Sequence, residues 1–303
     1  MTKALDDLVA LLDLEAIEVN IFRGVSPDEK RQRVFGGQVA GQALVAAGRT
    51  VEEGLVHSLH AYFLRPGDPL VPILYEVDRI RDGRSFTTRR VVAIQHGRAI
   101  FNLSASFHVE ESGVEHQMAM PSVATPESLP TFTERMAPYA EKLGDWYYRD
   151  RPIDQRYVES PVRAHADEDR EPSQQVWIRA DGRLGDDPLL HACVVAYASD
   201  MSLLDSVILP HRISWEDPNF MGASLDHAMW FHRPFRADEW LLYDQVSPSA
   251  TGGRGLAFGS IFTAEGRLAV SVVQEGLIRT SRPKEGSPRS EAARSAILEA
   301  ERA

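Results

Sequence analysis

Hydrophobic spacing along the chain changes period several times. Leu5, Leu8, Val9 and Leu12 recur at helical intervals and predict a short helix over residues 4–12. Alternation over 15–25 predicts a strand. Small and apolar side chains then crowd residues 37–47 (GQVAGQALVAA), which predicts a buried helix entered through a Gly-Gly turn. Its internal Gly41 implies close packing against a sheet. Strands follow over 57–64, 70–79, 85–95 and 99–109, with turns at Asp82-Gly83-Arg84 and His96-Gly97-Arg98. Residues 111–150 break the pattern with Pro121, Pro126, Pro130 and Pro138. They read as a connector with one helical stretch near 134–143.

The order then restarts. Strands are predicted over 153–159 and 174–179, a second helix over 189–204, and strands over 224–232, 239–246, 255–263 and 267–279. A polar tail follows, with a final helix capped by Ser290. Residues 192–198 of the second helix are apolar without interruption, so it is buried on nearly every side. Asp200 comes directly after. A carboxylate beside so buried a segment is costly unless paired. It reads either as the N-cap of a short following helix or as a site group.

Three landmarks repeat at a near-constant offset. Pro66 and Pro234 lie 168 residues apart, Gly83-Arg84 and Gly253-Arg254 lie 170 apart, and Gly97-Arg98 and Gly266-Arg267 lie 169 apart. The chain is therefore two copies of one unit, a buried helix wrapped by an antiparallel sheet, in the α+β class. The division is 1–110, a connector at 111–150, a second unit at 151–282 and a tail at 283–303. The copies differ in one informative place. Leu268, Val270, Val272 and Gln274 share an inward strand face, whereas the matching first-half face is wholly apolar, with Ala105 at the position of Gln274. Gln274 either bonds a backbone group near the sheet end or serves a site.

Composition narrows the function. Thirty-three basic against 44 acidic residues give a net charge of −11, which argues against nucleic acid as the main partner. The one cysteine, Cys193, sits in the apolar run and reads as a small hydrophobe. The ten histidines show no metal-ligating spacing, so no metal and no cofactor are expected. His227 and His232 read as hydrogen-bonded structural residues, and Asp226 as sharing a face with Ser224, Ala228 and Trp230. No nucleophile-elbow, Walker A or zincin motif occurs, and Gly252-Gly253-Arg254-Gly255 is a hairpin turn rather than a dinucleotide loop. The N-terminus lacks a signal peptide's basic start and clean apolar run, no stretch is long enough to span a bilayer, and the last residues are not a peroxisomal address. A cytoplasmic protein is expected.

Several longer stretches carry a resemblance: FGGQVAGQAL (35–44), HAYFLRPGDP (60–69), DGRSFTTRRVVAIQ (82–95), AYASD (196–200), SLDHAMWFHRPF (224–235), EWLLY (239–243) and VQEG (273–276). In these the chain resembles acyl-CoA thioesterase II, the TesB-type family of double hot-dog hydrolases. The resemblance implies hydrolysis of fatty acyl-CoA to free fatty acid and CoA, without metal or covalent acyl-enzyme, and association into a homodimer or homotetramer. It implies catalytic roles for Asp200, Ser224 and Gln274; the family commonly has Thr where Ser224 stands. The CoA phosphates call for cations, and Arg84 and Arg254 at the matched turns are the candidates. Two other readings share the fold: an enoyl-CoA hydratase using Asp with His227, and a non-catalytic acyl-CoA-binding sensor.

Overall fold

The computed structural model describes residues 2–27, 32–161 and 170–280; the tail helix expected at Ser290 lies outside them. The first unit runs α1 (Lys3–Leu12), β1 (Glu15–Glu18), β2 (Ile21–Gly24), α2 (Gly36–Gly48), β3 (Leu55–Phe63), β4 (Ile73–Asp82), β5 (Phe86–Gln95) and β6 (Arg98–His108). Three short helical turns follow, α3 (Phe132–Met136), α4 (Ala140–Leu143) and α5 (Asp145–Tyr148). The second unit runs β7 (Ile153–Tyr157), β8 (Ser173–Ala180), α6 (Pro188–Ser199), α7 (Asp205–Ile208), β9 (Phe220–Ser224), β10 (Asp226–Phe231), β11 (Leu241–Thr251), β12 (Arg254–Thr263) and β13 (Leu268–Thr280).

The strands form one antiparallel sheet in the order β1-β2-β4-β5-β6-β3-β10-β13-β12-β11-β8-β7, with β9 on the flank of β13. The order reads nearly the same from either end. Each unit wraps one helix, and the two sheets fuse where β3 pairs with β10 (Ala61 opposite His227, Leu59 opposite Met229). This is the double hot-dog arrangement. The central helices run antiparallel and in close contact. A Cβ on Gly41 would fall 3.2 Å from Cys193 O of α6 and 3.1 Å from Leu12 of α1. Gly41 is thus required by helix–helix packing, not by the sheet.

Four expected elements differ. The strand over 15–25 is a hairpin, broken at Val19-Asn20, whose Asn20 carbonyl accepts from Val77 N at 2.8 Å. Pro138 prevents the helix over 134–143, leaving separate turns, the first of them closed by a Thr131–Glu134 capping box. The helix over 189–204 stops at Ser199, and tight turns follow, with Met201 N donating to Ala198 O and Asp205 N to Ser202 O. The strand over 224–232 is two strands, β9 and β10, meeting at Leu225.

The connector also packs. Trp177 Nε1 donates to Ala124 O at 2.9 Å, and Met120, Val123 and Leu129 lie against Trp177, Leu242 and Phe262 on the outer face of the second sheet. That sheet is therefore covered on both faces. Among the described residues no helix is long and apolar enough to cross a membrane.

Candidate active site

Asp200 is the C-cap of α6, not the N-cap of a following helix; α7 starts after Leu204. The antiparallel helices bring it to the first turn of α2. A Cβ on Gly36 would lie 2.6 Å from Asp200 Oδ2 and 2.9 Å from the Phe63 ring, so glycine is required there. The Gly37 N–H donates to the carboxylate. Phe35 supplies no side-chain cap at the start of α2, so the first-turn N–H groups other than that of Gly37 are available to an anion.

Gln274 lies opposite Ala257 on the inner face of the sheet and is fully buried. Its Nε2 donates to Asp200 Oδ1 at 2.6 Å and to Ser224 Oγ at 2.9 Å. Ser224 Oγ donates to Asp200 Oδ1 at 3.2 Å. The structure therefore brings Asp200, Ser224 and Gln274 into one hydrogen-bonded cluster.

Strict alternation would not put Ser224 there. β10 pairs with β13 in the register Ala228 opposite Val273, whereas β9 pairs in the register Ser224 opposite Gly276. Three residues on one strand face two on the other, a β-bulge, which turns Ser224 inward beside Gln274. Asp226 does not share its role or surroundings: its Oδ1 accepts from Glu275 N at 2.6 Å within the bulge. A one-residue irregularity of this kind leaves no period-2 signature in the sequence.

Burial is the main influence on Asp200 and lifts its pKa from 3.8 to about 6. The hydrogen bonds from Gln274, Ser224 and Gly37 oppose that rise. The end of its own helix disfavours negative charge, while the start of α2 favours it. A carboxylate titrating near pH 6 suits a general base at neutral pH.

His227, read from sequence as structural, borders this cluster. It is fully buried, its Nε2 lies 2.8 Å from Ser199 Oγ, and burial lowers its pKa to about 4. The arginine candidates are elsewhere. Arg84 sits at the turn before Phe86, which pairs across to His108 and thence to Leu55. That is the opposite end of β3 from Phe63, about 26 Å away at strand rise. Arg254 is on the outer sheet face, opposite to Gln274, with its Nε donating to Glu275 at 2.9 Å. The structure brings neither into the cluster. Among the described residues no group of three or more His, Cys, Asp or Glu side chains converges as a metal site would require.

Fold and cluster together define a double hot-dog protein with one carboxylate–hydroxyl–amide site. The N-terminal domain of acyl-CoA thioesterases matches residues 26–108, and the acyl-CoA thioesterase family matches residues 149–277. Acyl-coenzyme A thioesterase 8 of Mus musculus is 45% identical over 295 residues, covering 90% of this chain and 88% of its own. Acyl-CoA thioesterase 2 of Haemophilus influenzae is 40% identical over 289 residues, covering 93% of this chain and all of its own. Among solved structures, the acyl-CoA thioesterase II TesB2 of Mycobacterium marinum is 47% identical with a TM-score of 0.75, covering 90% of this chain and 98% of its own. The chain belongs to the acyl-CoA thioesterase family and is a thioester hydrolase.

Proposed function

We propose that the chain hydrolyses fatty acyl-CoA to fatty acid and CoA by direct attack of a water activated at Asp200. The observation that carries this is the convergence of Gln274 and Ser224 on one oxygen of a carboxylate with a raised pKa. Ser224 and Gln274 orient the water, and Asp200 takes its proton as oxygen adds to the thioester carbon. First-turn N–H groups of α2 receive the developing oxyanion. Collapse breaks the C–S bond, and the proton on Asp200 passes to the leaving thiolate. Water ends in the carboxylic acid and the thiol, so the step balances without a metal or a covalent intermediate.

The hydratase alternative is disfavoured by His227. Its Nε2 is engaged by Ser199 Oγ at 2.8 Å, and burial lowers its pKa to about 4, so at neutral pH the imidazole is uncharged and a poor donor of a proton to a substrate double bond. A cytoplasmic homodimer or homotetramer completes the reading. Tyr62, Leu74 and Phe86 stay exposed on the first sheet's outer face, apolar surface of the kind a second copy covers. Light scattering at two or more subunits is the expected result.

The test is thiol release from medium- and long-chain acyl-CoA, with a single turnover in H₂¹⁸O. Label in the fatty acid and none in Asp200 supports direct attack. Label in the Asp200 carboxylate shows an acyl–aspartate intermediate, and binding without thiol release returns the protein to the sensor reading.

A further inference from the structure

Two buried polar atoms near the cluster, His227 Nδ1 and Gln274 Oε1, lie beyond hydrogen-bonding distance of any partner in the resting arrangement. They belong to neighbouring residues where the bulge begins: Ala228 pairs with Val273, and His227 and Gln274 are the next residue along on each strand. One assignment of protons suits the whole arrangement. Gln274 directs its NH₂ at Asp200 and Ser224, so its carbonyl oxygen faces His227. A carbonyl only accepts, so the neutral imidazole must carry its proton on Nδ1. Nε2 is then an acceptor, and the Ser199 hydroxyl, 2.8 Å away, donates to it. That proton is thereby committed to His227 rather than to Ala196 O, 3.0 Å away.

Resting on the hydrolase mechanism above, we propose that His227, held as its Nδ1–H tautomer by Ser199, is a positioning residue that fixes the orientation of the Gln274 amide. An amide is nearly symmetric in shape, so packing alone does not decide which end faces the carboxylate. Flipped, Gln274 would set its carbonyl oxygen against Asp200 and lose both donors that hold Asp200 and Ser224 in place. The first unit supplies a comparison: Leu59 stands at the position matching His227, and there the residue it faces is Ala105, which has no amide to orient.

The test uses His227→Leu, His227→Asn and His227→Gln, alone and with Gln274→Ala. Asn places an N–H near the position of Nδ1–H; Gln places one near Nε2. We expect Leu and Gln to lower kcat about 30-fold with KM within twofold, and Asn to keep at least a third of it. The acid limb of the rate profile should move to higher pH in the Leu variant, because Asp200 loses a donor. In the Gln274→Ala background His227→Leu should have no further effect. Full kcat in the Leu variant, rescue by Gln instead of Asn, or a further loss on top of Gln274→Ala overturns the proposal. If the variants fail to fold, ¹⁵N NMR of the wild-type imidazole decides: an Nε2–H tautomer at neutral pH overturns it. Asp200→Asn separates the two layers, since a full rate there defeats the hydrolase mechanism itself, whereas a dead Asp200→Asn beside a normal His227→Leu defeats only the positioning role.

Discussion

The two ends of the antiparallel helix pair began as one design and have opposite chemistry. In the second unit the inner row across β12, β13 and β10 reads Ala257, Gln274, His227. In the first unit the matching row across β5, β6 and β3 reads Arg89, Ala105, Leu59. Where the second unit sets small beside amide, the first sets a long cation beside a methyl. Arg89 is 1% exposed and donates to Thr50 Oγ1 at 2.8 Å and Thr50 O at 2.9 Å, closing the C-terminal end of α2 with positive charge. The helix starts differ too. α6 begins with Asp187 capping Leu189 N and with Pro188, which has no N–H, whereas α2 begins uncapped at Gly36 and Gly37. One end has its polar groups satisfied internally; the other leaves donors and a carboxylate for a substrate.

The largest effect expected from this contrast is at Asp200. Asp200→Asn should lower kcat about 10³-fold, the scale of losing a general base. Wild-type kcat/KM should rise with pH through about 6, where burial has moved the carboxyl. The same shift carries a stability signature. The folded state holds this proton more tightly than the unfolded chain, so the associated stability is complete below about pH 4 and is lost as pH rises through about 6. Asp200→Asn should therefore be more stable than wild type at neutral pH, by on the order of 2–3 kcal/mol, and equal to it below pH 4. Thermal melts across pH check this, and a neutral variant less stable at pH 7 would contradict the burial argument.

Arg89→Ala should reverse the pattern. Removing a buried cation leaves Thr50 O without a donor and opens a cavity, at a cost of roughly 3–4 kcal/mol. Urea denaturation reads that loss. The kcat of the remaining folded enzyme should stay within twofold, because Arg89 serves only the closed end; a tenfold fall in kcat would mean the two ends are coupled.

Much of this contrast was legible in the chain. The three repeated landmarks predict two units, and the inward Gln274 against Ala105 marks which unit differs. What was hidden has physical reasons. The helices repeat at an offset of 152 residues (Gly36 to Pro188) while the strands repeat at 168, so extra chain lies between α6 and β10. That insertion carries α7 and β9, and with them Ser224. The bulge that aims Ser224 inward breaks the alternation from which faces are read. Arg89 looks like any basic residue in a half-exposed strand until β5 is placed under the end of α2. The arginines at the matched turns lie away from the cluster because turns repeat with the fold, whereas Asp200, Ser224 and Gln274 come from one unit only.

A smaller effect is expected at Gln274. Gln274→Ala should lower kcat about 100-fold and move the acid limb upward, since its amide is the leading hydrogen bond holding the Asp200 pKa down. A rate profile with an unmoved limb would leave Gln274 a water-binding role only. The paired glycines give a finer comparison. A Cβ on Gly36 meets Asp200 and the Phe63 ring, while the nearest atoms to one on Gly48 belong to the flexible Leu189 side chain. Gly36→Ala should lower kcat/KM about tenfold and Gly48→Ala by less than twofold, measured as thiol release at low substrate. Equal losses would mean that the start of α2 has no special part.

Within the cluster itself the smallest expected effect is at Ser224. Its hydroxyl accepts from Gln274 and donates to Asp200, so both of its hydrogen-bonding roles are set by the neighbours. Ser224→Thr keeps the oxygen and adds a methyl that restricts χ1. The bulge at Leu225 already turns the residue inward, and the Asp200 and Gln274 contacts already select one rotamer, so stiffening χ1 has little left to contribute. The rate should therefore stay within threefold of wild type, whereas Ser224→Ala, which removes the oxygen, should fall about tenfold. Thr raising kcat tenfold or more would show that the serine samples unproductive rotamers and that bulge and neighbours do not fix it. Ala matching wild type would show that Asp200 and Gln274 order the water by themselves, and the cluster would reduce to a carboxylate and an amide.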